Sequence, residues 1–92
     1  ALVGTVLYMA PEVLEEERYD AGSDVWALGC VFFQALVGDF GATGWPFYNA
    51  AKPPRGMGGV AACVATREAA LDRLPADTPP AVVVLLGAML CK

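Results

Sequence analysis

The sequence predicts a mainly α fold whose helices are joined by long Gly/Pro-rich loops. Two observations carry this reading. The apolar stretches at 25–37 and 81–90 run longer than an ordinary strand. Glycine and proline gather between them, at 38–59, where they break regular structure. With 92 residues there is room for one small domain.

Taken in chain order, residues 10–18 (APEVLEEER) read as a short helix, with Pro11 in the first turn, where its missing N–H costs nothing. Glu15, Glu16 and Glu17 read as its solvated face, and residues 18–22 as a loop. Ser23 is the expected N-cap of the next helix, with Asp24 facing the dipole in its first turn. From Val25 to Val37 the segment is apolar almost all round, which predicts a buried helix spanning 23–37 and stopped by Gly38. Residues 38–59 read as loop, with 48–59 as its mobile part and KPPRGMGG (52–59) the most irregular stretch. Val60 to Leu74 is rich in alanine and good helix formers and ends at Pro75. A last helix is expected over 79–91, capped by Thr78 with Pro79 at its first position.

Composition removes several classes of function. The chain is 57% hydrophobic and 17% charged, which excludes a disordered tail. Its net charge of −4 lacks the basic stripe of a nucleic-acid module, so no nucleic-acid partner is expected. Histidine is absent, and with it imidazole bases, His metal ligands and His pH switches. Cys30, Cys63 and Cys91 form no CxxC pair and are odd in number, which suggests free thiols in a reducing, intracellular, cytoplasmic setting. No metal site is expected. The N-terminus does not read as a signal peptide. Both apolar runs fall short of the ~20 residues that span a bilayer, so no membrane partner is expected.

Three motifs in fixed order carry a family resemblance: Gly4-Thr5 with Tyr8-Met9-Ala10-Pro11-Glu12, then Ser23-Asp24-Val25-Trp26-Ala27-Leu28-Gly29, then Gly44-Trp45-Pro46-Phe47. Together they resemble the C-terminal lobe of a eukaryotic protein kinase of the serine/threonine type. The likeness runs from the substrate-facing (P+1) part of the activation segment, which ends here at residues 1–12, through the central helix to a late helix. It is strong over 4–47 and positional over 48–77.

The resemblance implies roles for individual residues. Thr5 would be the hydroxyl supporting the catalytic aspartate and lysine. Gly4, Thr5, Val6, Leu7 and Tyr8 would form the substrate-binding segment, the last three lining the pocket for the residue after the phosphoacceptor. Glu12, Asp24, Trp26 and Gly29 would be structural. Glu12 and Asp24 would lack the arginine and catalytic-loop partners that the family provides, and are expected to turn to solvent. Val31 and Ala35 would support the side chains beneath the adenine ring. Gln34 stands where many basic-directed kinases carry a glutamate.

Much of the catalytic apparatus that phosphoryl transfer uses has no counterpart. There is no Gly-rich phosphate loop, no strand lysine and no His-Arg-Asp. Asp39-Phe40-Gly41 spells the magnesium tripeptide but follows Ala-Pro-Glu, where the family has it before, so it reads as a decoy. Gly56-Met57-Gly58-Gly59 lacks the GxGxxG spacing. The resemblance therefore implies ATP, Mg²⁺ and a protein substrate for the whole family member, and no retained catalytic residue or cofactor for this chain alone. The alternative is a non-catalytic, pseudokinase-type interaction module acting through the P+1 surface. In either case an apolar helix short of neighbours would favour self-association.

Overall fold

The computed structural model describes residues 6–92. Among these, four α-helices are present and no strand: α1 (Pro11–Glu16), α2 (Ala21–Val37), α3 (Gly56–Thr66) and α4 (Pro80–Met89). Two 3-10 turns, Ala42–Gly44 and Leu71–Arg73, punctuate the connections. The mainly α expectation holds, and several boundaries move for identifiable reasons.

Helix α1 starts on Pro11 after an extended Ala10 and ends at Glu17, whose backbone is left-handed (φ 54°). Helix α2 is capped by Asp20, not by Ser23. The Asp20 carboxylate accepts from the Ser23 N–H at 3.2 Å, and the Ser23 hydroxyl accepts from the Asp20 N–H at 3.2 Å. Ser23 is thus the third helical residue of a reciprocal capping box, and the helix gains its first turn from residues expected to be loop. Gly38 ends it, at φ 77°, with its N–H on the Gln34 carbonyl.

Helix α2 is buried along one side only. Trp26, Cys30 and Phe33 face inward, whereas Val25, Leu28 and Val31 are 46%, 61% and 39% exposed. Helix α4 crosses the buried side at Gly29, where a Cβ would stand 3.0 Å from both Met89 Cβ and Leu90 Cδ2. Glycine at this position lets the two helices approach closely.

Helix α3 begins at Gly56, inside the stretch expected to be loop, and stops at Thr66, well short of Leu74. Val60, Cys63 and Val64 make its buried stripe against the core at i, i+3, i+4 spacing. Beyond Thr66 the chain is drawn away by tertiary bonds. The Ala70 N–H donates to the Pro46 carbonyl at 3.0 Å, and Arg73 donates to the carbonyls of Trp45, at 2.9 Å, and Thr43. Arg73 also lies over the Phe33 ring, 5.5 Å from its centroid. Helix α4 starts one residue later than expected. Pro79 is held extended (φ −55°, ψ 139°) by the proline that follows it, and Thr78 contributes no capping bond.

The core is centred on aromatics from α2 and the Trp-Pro-Phe segment. Trp26 stacks on Phe47 at 5.1 Å between ring centroids, and Trp45 meets Phe47 edge-on at 5.6 Å. Val6, Leu7, Ala10, Val60, Val64 and Leu90 belong to the same cluster. A second, smaller cluster joins Phe33, Leu74 and Leu86 between α2 and α4. The Trp26 and Trp45 indole N–H groups are buried without a hydrogen bond of normal geometry.

Candidate functional site

The segment leading into α1 is fixed to α2 by both packing and hydrogen bonding. Val6 and Leu7 are 7% and 3% exposed and sit in the main core cluster. Their apolar side chains are taken up by the core of the described residues. Tyr8 is half-buried, and its hydroxyl donates to Gln34 Oε1 at 2.7 Å. Gln34 is fully buried, and its amide nitrogen donates to the carbonyl of Gly41 at 3.1 Å and more weakly to that of Phe40 at 3.4 Å. One side chain in the middle of an apolar helix thereby holds residue 8 on one side and residues 40–41 on the other.

Glu12 does not turn to solvent. It accepts from the Ser23 hydroxyl at 2.9 Å and so ties the start of α1 to the first turn of α2. Asp24 is exposed and accepts from the Tyr19 hydroxyl, which holds the Tyr19 pKa above its ordinary value. Trp26 and Gly29 are buried, the first in the aromatic stack and the second at the α4 crossing. Gly4 and Thr5 lie outside the described residues. A small cavity of about 240 Å³ opens beside Tyr8 and Met9, with Val13, Tyr19 and Ala27 among its walls. Its lining is almost wholly apolar, which suits an apolar group.

The Asp39-Phe40-Gly41 tripeptide is a turn. The Asp39 carboxylate accepts from the Gly41 N–H at 2.8 Å and from the Thr43 hydroxyl, and these bonds, Thr43 first, lower its pKa. Gly44 lets the turn close, since a Cβ there would fall 1.8 Å from the Asp39 carbonyl oxygen. Both carboxylate oxygens are engaged in the turn, and no group of three or more metal-ligating side chains forms among the described residues, so this donor set does not fit a magnesium–nucleotide complex. Val31 and Ala35 stand on the bare face of α2.

Sequence reasoning missed the Tyr8–Gln34 link. The signal available for it was the single amide in an otherwise apolar helix, which a fold retains only when its hydrogen bonds are met. It also missed the groove between residues 49–55 and α3, because the glycine run hid the helix. No helix of the described residues is long and apolar enough to cross a membrane.

Comparison with known proteins gives the lineage. A family model described as protein kinase domain matches residues 1–90. The chain is 57% identical over 37 residues to the serine/threonine-protein kinase ATG1 of Pyricularia oryzae, covering 40% of this chain and 4% of that protein. It is 47% identical over 38 residues to the serine/threonine-protein kinase fused of Drosophila melanogaster, covering 41% of this chain and 5% of that protein. The ATG1 kinase of Colletotrichum lindemuthianum is 51% identical over 37 residues, or 40% of this chain and 6% of that protein. The chain therefore spans a small part of the curated relatives it matches. No solved structure matches it. The buried segment before Ala-Pro-Glu, the central helix after it and the match along nearly the whole sequence agree: the chain belongs to the protein kinase domain family, as a portion of a kinase domain with serine/threonine kinases among its relatives.

Proposed function

We propose that the chain is the substrate-docking and helical-core portion of a serine/threonine protein kinase. The whole protein transfers the γ-phosphoryl group of ATP to a Ser or Thr hydroxyl of a protein substrate. The substrate oxygen forms the new bond to phosphorus as the bond to ADP breaks. ATP and Mg²⁺ are held by other parts of that protein, and this chain alone does not catalyse the transfer. Its place of action is the cytoplasm.

The observation that carries this reading is the fixing of residues 6–8 directly before Ala-Pro-Glu. Val6 and Leu7 are anchored in the core and Tyr8 is hydrogen-bonded to the central helix, which leaves the backbone of the segment as a rigid ledge. A ledge of this kind orients a substrate chain without having to be ordered at the moment of binding. Glu12, bonded to Ser23, steadies the far end of the ledge. Gln34 is neutral and fully engaged inside, so it offers nothing to a basic substrate side chain. Selection on this surface rests on the apolar recess beside Tyr8 and Met9.

The test is a chimera in which the stretch of the Pyricularia oryzae relative that aligns with this chain is replaced by this chain's residues. The chimera is expected to phosphorylate mixed protein substrates on serine and threonine. A chimera that melts like the unmodified relative yet transfers no phosphate, or transfers it to tyrosine, would overturn the assignment. The 92-residue chain with Mg²⁺ and ATP is expected to incorporate none.

A further inference from the structure

Residues 49–55 and α3 enclose a groove of about 540 Å³, within the roughly 300–1,000 Å³ of ordinary ligand pockets. It shares no lining residue with the recess at Tyr8. Small residues make much of its wall: Ala51, Gly59 and Ala62 leave depth for a bulky apolar group. Cys63 also lines it, and its thiol donates to the Lys52 carbonyl at 3.9 Å, tying the loop to the helix. Gly59 lets the loop come close, because a Cβ there would stand 3.2 Å from the Pro54 carbonyl carbon.

Lys52 and Arg55 stand on the groove wall, and no carboxylate does. Of the other cations, Arg18 pairs with Glu16, Lys92 with Glu68 and Arg73 with two loop carbonyls, while Arg67 is unpaired among the described residues but does not line the groove. Lys52 and Arg55 make no side-chain hydrogen bond or ion pair among the described residues. In a chain of net charge −4, two unpaired cations beside an apolar recess reverse the local sign.

We infer that this groove docks an acidic segment of a partner protein, with an apolar side chain in the recess and flanking carboxylates on Lys52 and Arg55. A polyanion such as nucleic acid fits poorly, since it would meet two cations on a chain whose net charge is −4. A basic segment meets like charge. Pro53 and Pro54 stiffen the wall, so little ordering opposes docking. The inference concerns binding alone and stands whether or not the parent transfers phosphate.

The test measures fluorescence anisotropy of a rhodamine-labelled peptide of alternating Glu and Leu on the full chain. A Lys-and-Leu peptide of equal length and free octanoate serve as comparisons. The Glu–Leu peptide is expected to bind saturably and to weaken as salt rises. The double variant Lys52→Ala, Arg55→Ala should weaken it about tenfold with an unchanged melting curve. Arg67→Ala, which removes a cation outside the groove, should leave binding unchanged. Equal binding of the Lys–Leu peptide, an unaffected double variant, binding of octanoate alone, or no binding of the Glu–Leu peptide would each overturn the inference.

Discussion

Replacing Gln34 by leucine would release three groups at once: the Tyr8 hydroxyl and the carbonyls of Phe40 and Gly41. The 3.4 Å bond lies at the edge of hydrogen-bond range, so two bonds count in full, at about 1 kcal/mol each. Tyr8 is half-buried and Phe40 and Gly41 are exposed residues, so water can reach part of what is released. Leucine is close to glutamine in volume, and its burial returns roughly 1 kcal/mol. The net expectation for Gln34→Leu is a loss of about 1–2 kcal/mol. Tyr8→Phe alone should lose about 1 kcal/mol, and the double variant should show a coupling of about 1 kcal/mol between the two sites. The assay is urea unfolding of the four proteins, followed by the fluorescence of the buried Trp26 and Trp45. Gln34→Glu adds a test of sign. A buried carboxylate facing two carbonyls has a folded pKa raised above its unfolded value, so this variant should gain stability as pH falls through that interval. A coupling within about 0.3 kcal/mol of zero between cooperative variants would refute the claim that Gln34 holds residue 8 in place.

Two further outcomes are expected. Tyr19 has a raised pKa because its hydroxyl donates to Asp24, so any stability it lends is present below the unfolded tyrosine pKa and lost as pH rises through the folded one. Asp24→Asn should move the Tyr19 contribution to the tyrosinate absorbance to lower pH; an unchanged titration would place the hydroxyl elsewhere. Burial pushes the Cys30 thiol up to about 12, against partial opposition from the neighbouring Trp45 indole, while Cys91 is exposed. Iodoacetamide at mildly alkaline pH should therefore label Cys91 first and Cys30 only on unfolding, as read by peptide mass mapping.

Parts of the fold were legible because their signals are local. Pro11 at the start of α1 and Gly38 at the end of α2 act through their own backbone, and each stands where the pattern placed it. The misplacements came from competition that a local pattern does not display. Asp20 and Ser23 are both good caps, and the reciprocal pairing of the two decides in favour of the earlier one. Helix-forming alanines at 69–70 lose to the Pro46 carbonyl and to the Arg73 fork, whose partners lie far away in sequence. Val6 and Leu7 join the core cluster that holds Trp26 and Phe47, a long-range packing that their own apolar character does not display.

The clasp of Arg73 on the Trp45 carbonyl, 28 residues back along the chain, has a consequence for how this region tolerates change. With the Pro46–Ala70 bond beside it, the clasp fastens both ends of the excursion that carries the groove loop and α3. Once the ends are fixed, lengthening the stretch between them adds only a slowly rising closure entropy, about 0.6 kcal/mol for each doubling of a flexible loop. Insertions near 49–55 can then accumulate without loosening the aromatic stack. Sequence drift is steered toward the rim of the molecule, where new surface can be tried while the framework stays as it is.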